Sequence, residues 1–171
     1  MSVGSGHHAR EIDCLISRLV NGVCLLGVYA RDELPDVTSE IRPSCLILTT
    51  DPKHQPGTHW LAFYSPLIGS IDLFDSFRLF YRIYSLDVLD LFYLSYSLQS
   101  TSTSVCGHYC IVYIYVCSRK HSLDDIVYLL TKISSRDLFF NEYISNLQIR
   151  PCILNPCHRN GQLCKLQCKF C

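Results

Sequence analysis

No apolar run in this chain reaches the ~18 residues that a membrane-spanning helix needs. The longest, around Cys110 to Cys117, is broken by tyrosines and ends at Ser118-Arg119-Lys120. A membrane span is therefore not expected, nor is a membrane partner. Charge of either sign is also not in excess: 15 Lys and Arg balance 15 Asp and Glu. That balance lacks the basic surplus of a nucleic-acid surface. The opening residues, Met1-Ser2-Val3-Gly4-Ser5-Gly6-His7-His8, have neither the basic nor the apolar region of a secretory signal. The expectation is an intracellular chain, in cytoplasm or nucleus. There is no internal repeat.

What the chain does have is apolar mass and thiols. At 171 residues, 49% of them hydrophobic, it is long enough for one domain that buries roughly two-thirds of its unfolded surface without disulfides or metal. Eleven cysteines would suggest a disulfide framework in a secreted protein, but without a signal segment reduced thiols are the default. Cys14, Cys24, Cys45, Cys110 and Cys117 each sit inside apolar segments, where a free cysteine behaves as a small hydrophobe. Composition changes beyond Pro151, where Cys152, Cys157, Cys164, Cys168 and Cys171 lie among Lys, Arg and Gln. The expected organisation is a domain over 1–150 and an irregular Cys-rich tail over 151–171.

Periodicity supplies the elements. Ile12, Leu15, Ile16 and Leu19 recur at helical spacing, predicting a helix from Ala9 to Leu19 that ends near Asn21-Gly22. Pro35 and Pro43 punctuate a loop. Ser44 to Thr50 reads as a short buried strand, and a polar turn runs from Asp51 to Gly57. His59 to Tyr64 and Gly69 to Phe74 read as strands separated by Ser65-Pro66-Leu67-Ile68, hence as an antiparallel pair. In such a pair the start of the first strand lies beside the end of the second, which brings His59 next to Asp75. Leu79 to Leu91 is read as a helix and Phe92 to Leu98 as a strand. Ser104 is the expected cap of a helix from Cys106 to Cys117. Ser122 and Asp125 form a capping-box-like start for a helix through Leu130, and a last helix covers Leu138 to Leu147.

Four residues in this layout carry chemistry. Cys106 stands at the mouth of an apolar helix, where the positive end of the macrodipole favours thiolate over thiol. A thiol nucleophile needs a base or a cation beside it, and His59 suits either role. The imidazole needs an acceptor on its other nitrogen, which Asp75 supplies. Attack on an amide creates an oxyanion, and the Gln99 side-chain amide with the Cys106 backbone N–H are candidate donors. Gly107 leaves room for a substrate backbone near the thiol, and Trp60 is read as a wall that limits water at His59. Singly, each has an ordinary reading: one cysteine of eleven, a strand histidine, a turn aspartate, a solvated loop glutamine. Together, their order and flanking residues agree with one mechanism.

The segments Gly57-Thr58-His59-Trp60, Phe74-Asp75-Ser76, Leu98-Gln99-Ser100 and Ser104-Val105-Cys106-Gly107-His108-Tyr109-Cys110 resemble the motifs of adenain, the adenovirus-type cysteine protease. They are similar above all to the adenain-like proteases of Polinton (Maverick) elements, within the clan of ubiquitin-like-protein-specific proteases. The likeness extends more loosely from Gly27 through Arg42-Pro43-Ser44 to about Tyr143. It implies the order His, Asp or Glu, Gln, Cys, matched here by His59, Asp75, Gln99 and Cys106. Six residues separate Gln99 from Cys106, the adenain-like spacing; the SUMO-protease branch usually has one fewer.

The resemblance implies an α+β, papain-like and adenain-like fold, with a central, mostly antiparallel sheet and the nucleophile at the N-terminus of a core helix. The implied activity is a cysteine endopeptidase, a monomer that processes viral or mobile-element precursor proteins without a cofactor. Its partner is a protein or peptide substrate. Some family proteins are stimulated by a peptide or by DNA, although no feature of this sequence points to either. Two alternatives are a protease cutting ubiquitin-like proteins at a Gly-Gly terminus and an inactive remnant that binds a protein in its cleft. Zinc in the tail, through Cys157, His158, Cys164, Cys168 and Cys171, is weighed and set aside because the spacing fits no trusted pattern. No metal is expected.

Overall fold

The computed structural model of the chain describes residues 9–20, 22–35, 41–79, 91–93 and 97–146. Within them, five strands form one sheet in chain order: β1 (Cys24–Tyr29), β2 (Ser44–Thr49), β3 (Trp60–Ser65), β4 (Ile71–Phe74) and β5 (Leu91–Tyr93). Helix α1 (Ala9–Leu19) precedes the sheet, and α2 (Cys106–Ser118), α3 (Leu123–Thr131) and α4 (Arg136–Asn146) follow it. The architecture is α+β.

Strands β2 and β3 are buried along their whole length, and their side chains alternate between two apolar layers as a pleat requires. Cys45 and Ile47 of β2, with Trp60, Ala62 and Tyr64 of β3, join the core that the helices cover. Leu46, Leu48, Leu61 and Phe63 join Ile71 and Leu73 in a second cluster on the other face. Helix α1 turns Ile12, Leu15 and Ile16 into the first layer. Helix α2 is buried at every position from Cys106 to Ile114 and again at Cys117, as befits a helix apolar all round. It packs against β3, α1, α3 and α4, so its first residue is held from several sides.

The expected helices α1, α2 and α3 and the antiparallel pairing of β3 with β4 are present. Ser122 and Asp125 form a reciprocal capping box at α3. The sheet differs from the mostly antiparallel expectation. It is mixed: β2–β3 and β3–β4 are antiparallel, whereas β1–β2 and β4–β5 are parallel. Only β2, β3 and β4 reverse direction from one to the next, and the two outer strands run parallel to their neighbours, a pairing that no tight hairpin can make.

Strand β1 has no counterpart among the expected elements. Val105, not Ser104, holds the N-cap position of α2. Of the helix expected over Leu79–Leu91, residues 80–90 lie outside the described residues, Leu79 is not helical and Leu91 opens β5. The strand expected over Phe92–Leu98 is described only as far as Tyr93; Ser97 and Leu98 are not in a strand. Helix α4 begins before Leu138, and Leu147 and the tail over 151–171 lie outside the described residues. Cys45, Cys110 and Cys117 are buried as expected, whereas Cys14 and Cys24 are only partly so.

Candidate active site

His59 immediately precedes β3 and Asp75 immediately follows β4, and the register Ala62 to Phe74 sets these two ends side by side. Their side chains meet: His59 Nε2 lies 2.8 Å from Asp75 Oδ1. Both residues are buried, at 7% and 5% exposure. The aspartate is locked by its own turn, because Oδ1 also accepts from the Phe77 N–H at 2.8 Å and Oδ2 from the Leu79 N–H at 2.9 Å. This is the local capture of backbone donors that makes Asp a turn former. To wrap the carboxylate, the chain takes Arg78 into the left-handed region at φ 57°, a conformation costly for a residue with a Cβ. The Phe77 ring then lies 4.7 Å from the His59 ring.

The Cys106 side chain also interacts with this imidazole and is the second group that raises its pKa. Burial of the ring works against its charged form, but the hydrogen bonds and negative charge of Asp75 and Cys106 outweigh it and raise the His59 pKa to about 9. His59 is thus an imidazolium at neutral pH, held between two groups of opposite potential charge. Cys106 is the first residue of α2, where its backbone N–H has no partner one turn back in the helix.

Gln99 is buried at 4% exposure and is not a solvated loop residue. Its Oε1 accepts from Ser76 Oγ at 2.7 Å, and its Nε2 donates to the Thr103 carbonyl at 2.9 Å. Its backbone N–H donates to the Ser76 carbonyl at 3.0 Å, beside a second bond from Leu98. Ser76 follows Asp75 in the chain, so one turn carries the partner of the histidine and the anchor of the glutamine. The structure therefore brings His59, Asp75 and Cys106 into direct interaction and ties Gln99 to their turn.

Gly107 and Trp60 also have a packing part. A Cβ at Gly107 would stand 3.2 Å from Ile12 Cδ1 and 3.5 Å from Trp60 Cδ1, so the glycine makes room for α1 and the indole. Trp60, 4% exposed, is a core residue: it fills the space beside Gly57, where a Cβ would meet its Cζ2 at 2.8 Å. Its carbonyl accepts from the Cys110 thiol at 3.3 Å. Burial pushes that thiol well above its ordinary pKa, which makes it an inert core group.

Sequence reasoning missed Ser76, Phe77, Thr103 and Asp137. Asp137, in the first turn of α4, accepts from the Ser100 N–H at 3.0 Å, from Thr103 Oγ1 at 2.7 Å and from the Tyr109 hydroxyl at 2.7 Å. The one signal for it was the polar run from Gln99 to Ser104, which holds no apolar side chain and so requires outside hydrogen-bond partners. Among the described residues no group of three or more His, Cys, Asp or Glu could hold a metal ion. Nor, among them, is any helix long and apolar enough to cross a membrane.

No protein-family model matches the sequence, and no curated protein matches it. Among solved structures, the chain is similar to the central domain of the uncharacterized Lpg1148 protein from Legionella pneumophila, at a TM-score of 0.55 and 12% identity. The match covers 84% of this chain and 96% of that one. At that identity the likeness concerns the fold alone, an α+β arrangement that recurs without close sequence kinship.

Proposed function

We propose that this chain is a cysteine peptidase of the papain-like, adenain-like type. Cys106 is its nucleophile, His59 its proton carrier, Asp75 the orienting acid and Gln99 a donor to the oxyanion. The observation that supports the reading is a buried imidazole hydrogen-bonded to Asp75 and interacting with Cys106, the first residue of a buried helix. A histidine raised to about 9 is suited to holding a thiolate as its counter-ion and then to delivering a proton.

In the first step the Cys106 sulfur forms a bond to the peptide carbonyl carbon, and the carbonyl electron pair moves onto oxygen. The Cys106 backbone N–H and the Gln99 amide are the donors for that oxyanion. When the pair returns, the C–N bond breaks and His59 protonates the departing amine, leaving a thioester and a neutral imidazole. Water then loses a proton to His59 as it attacks the thioester. The carboxylic product leaves, and thiolate and imidazolium are restored.

The substrate class is a protein or peptide. The six-residue interval between Gln99 and Cys106 favours an endopeptidase of the adenain type over a protease dedicated to ubiquitin-like termini. A covalent thiol probe followed by peptide mapping tests the assignment, because eleven cysteines compete for it. Rapid labelling confined to Cys106, with labelling and peptide cleavage both abolished by Cys106→Ala, is the expected result. Cleavage that persists in Cys106→Ala overturns it.

A further inference from the structure

The segment between Leu98 and Val105 contains only Gln99, Ser100, Thr101, Ser102, Thr103 and Ser104. It has no apolar side chain to bury, so hydrogen bonds fix its shape. Those within the segment are local: the Thr103 N–H donates to the Ser100 carbonyl at 3.2 Å, and the Ser100 and Ser102 hydroxyls pair at 2.8 Å. Other bonds tie it to the rest of the molecule. Ser76 and Ser97 hold Gln99 at one end, and Asp137 holds Ser100 and Thr103.

Asp137 also accepts from Tyr109, three residues beyond Cys106 on α2. Tyr109 is fully buried, and its ring lies 4.0 Å from that of Phe140 on α4. One carboxylate thus joins the loop, the nucleophile helix and a helix 30 residues farther along the chain. The Thr103 whose hydroxyl it holds is the residue whose carbonyl receives Gln99 Nε2. Charge-assisted bonds of this kind are about twice as strong as neutral ones.

We propose that Asp137 is a positioning residue of the peptidase: through Thr103 and Ser100 it holds the loop that aims the Gln99 amide and leads into the Cys106 N–H. The inference rests on the cysteine-peptidase reading. Asp137 acts on the oxyanion side more than on the thiol, because two of its three partners, Ser100 and Thr103, belong to the Gln99 loop, the third is Tyr109 one turn into α2, and neither His59 nor Asp75 is among them.

The test uses the full chain with Asp137→Ala and the near-isosteric Asp137→Asn, which decides the matter if the alanine variant does not fold. Peptide hydrolysis gives kcat and KM. Iodoacetamide gives the reactivity of the thiol in a displacement at saturated carbon, where the S–C bond forms as iodide leaves and no oxyanion arises. Expected for both variants is a fall in kcat of about ten- to a hundredfold, short of the ~10²–10³ for outright loss of a donor. KM and the Cys106 alkylation rate stay within about twofold of wild type, since neither draws on the oxyanion donors.

An unchanged kcat overturns the proposal. So does a fall in kcat matched by an equal fall in alkylation, which marks general damage. Absence of Cys106-dependent turnover in the wild type overturns the peptidase reading itself, and is distinguished by that wild-type measurement alone.

Discussion

The two halves of the site are built by different means. His59 and Asp75 sit at adjoining ends of an antiparallel strand pair, and the sheet register places them. Gln99 lies on a polar loop placed by side-chain hydrogen bonds from Ser76 and Asp137, and Cys106 opens the buried helix that this loop enters. The first half is secured by backbone pairing inside a core. In the second, the Gln99 loop is secured by a few polar side chains, any one of which a single substitution removes. Substitutions in the strand-borne half are therefore expected to cost more stability than those in the loop-borne half.

Asp75→Ala is the strongest way to break that comparison. It orphans the Phe77 and Leu79 amides and leaves a buried cation without its acid. Breaking a buried pair from one side costs about 3–5 kcal/mol, so urea denaturation should reveal a large loss of stability. Activity should fall as well, by as much as ~10⁴ if the imidazole loses its orientation. Gln99→Ala sharpens the contrast from the other side. Turnover should drop about 10²–10³-fold, while stability falls by about 1–3 kcal/mol, the cost of leaving the Ser76 hydroxyl and Thr103 carbonyl without their partner. Equal stability losses in the two variants would remove the distinction.

The same contrast governs what was legible in the sequence. The neighbourhood of His59 and Asp75 followed from two short apolar runs and a turn, because a strand pair with a short connection is a local object. Cys106 at a helix mouth was equally plain, as was the Ser122–Asp125 capping box. Strand β1 was not. Its run from Cys24 to Tyr29 is interrupted by Gly27 at φ 137°, and its register shifts between Leu25 and Gly27, so no clean period-2 pattern survives. Its pairing is also parallel, which no local turn announces. Asp137 was illegible for a related reason. Its partners Ser100, Thr103 and Tyr109 precede it by 37, 34 and 28 residues, and only the docking of α4 on α2 brings them together. Gly107 was legible as a small residue, but what it makes room for was decided by the packing of Ile12 and Trp60.

The pH dependence of stability follows from His59 with a definite sign. Its folded pKa lies above its unfolded value of ~6.5, so the stabilisation is fully present below about 6.5 and is lost as pH rises toward about 9. The titration of the His59 imidazole by NMR therefore tests the central claim, that His59 interacts with both Asp75 and Cys106, most directly. In the wild type the ring should titrate at about 9, and Cys106→Ala should lower that value by removing one of the two groups that raise it. A wild-type midpoint near the ordinary ~6.5 of histidine, unmoved by Cys106→Ala, would contradict the account.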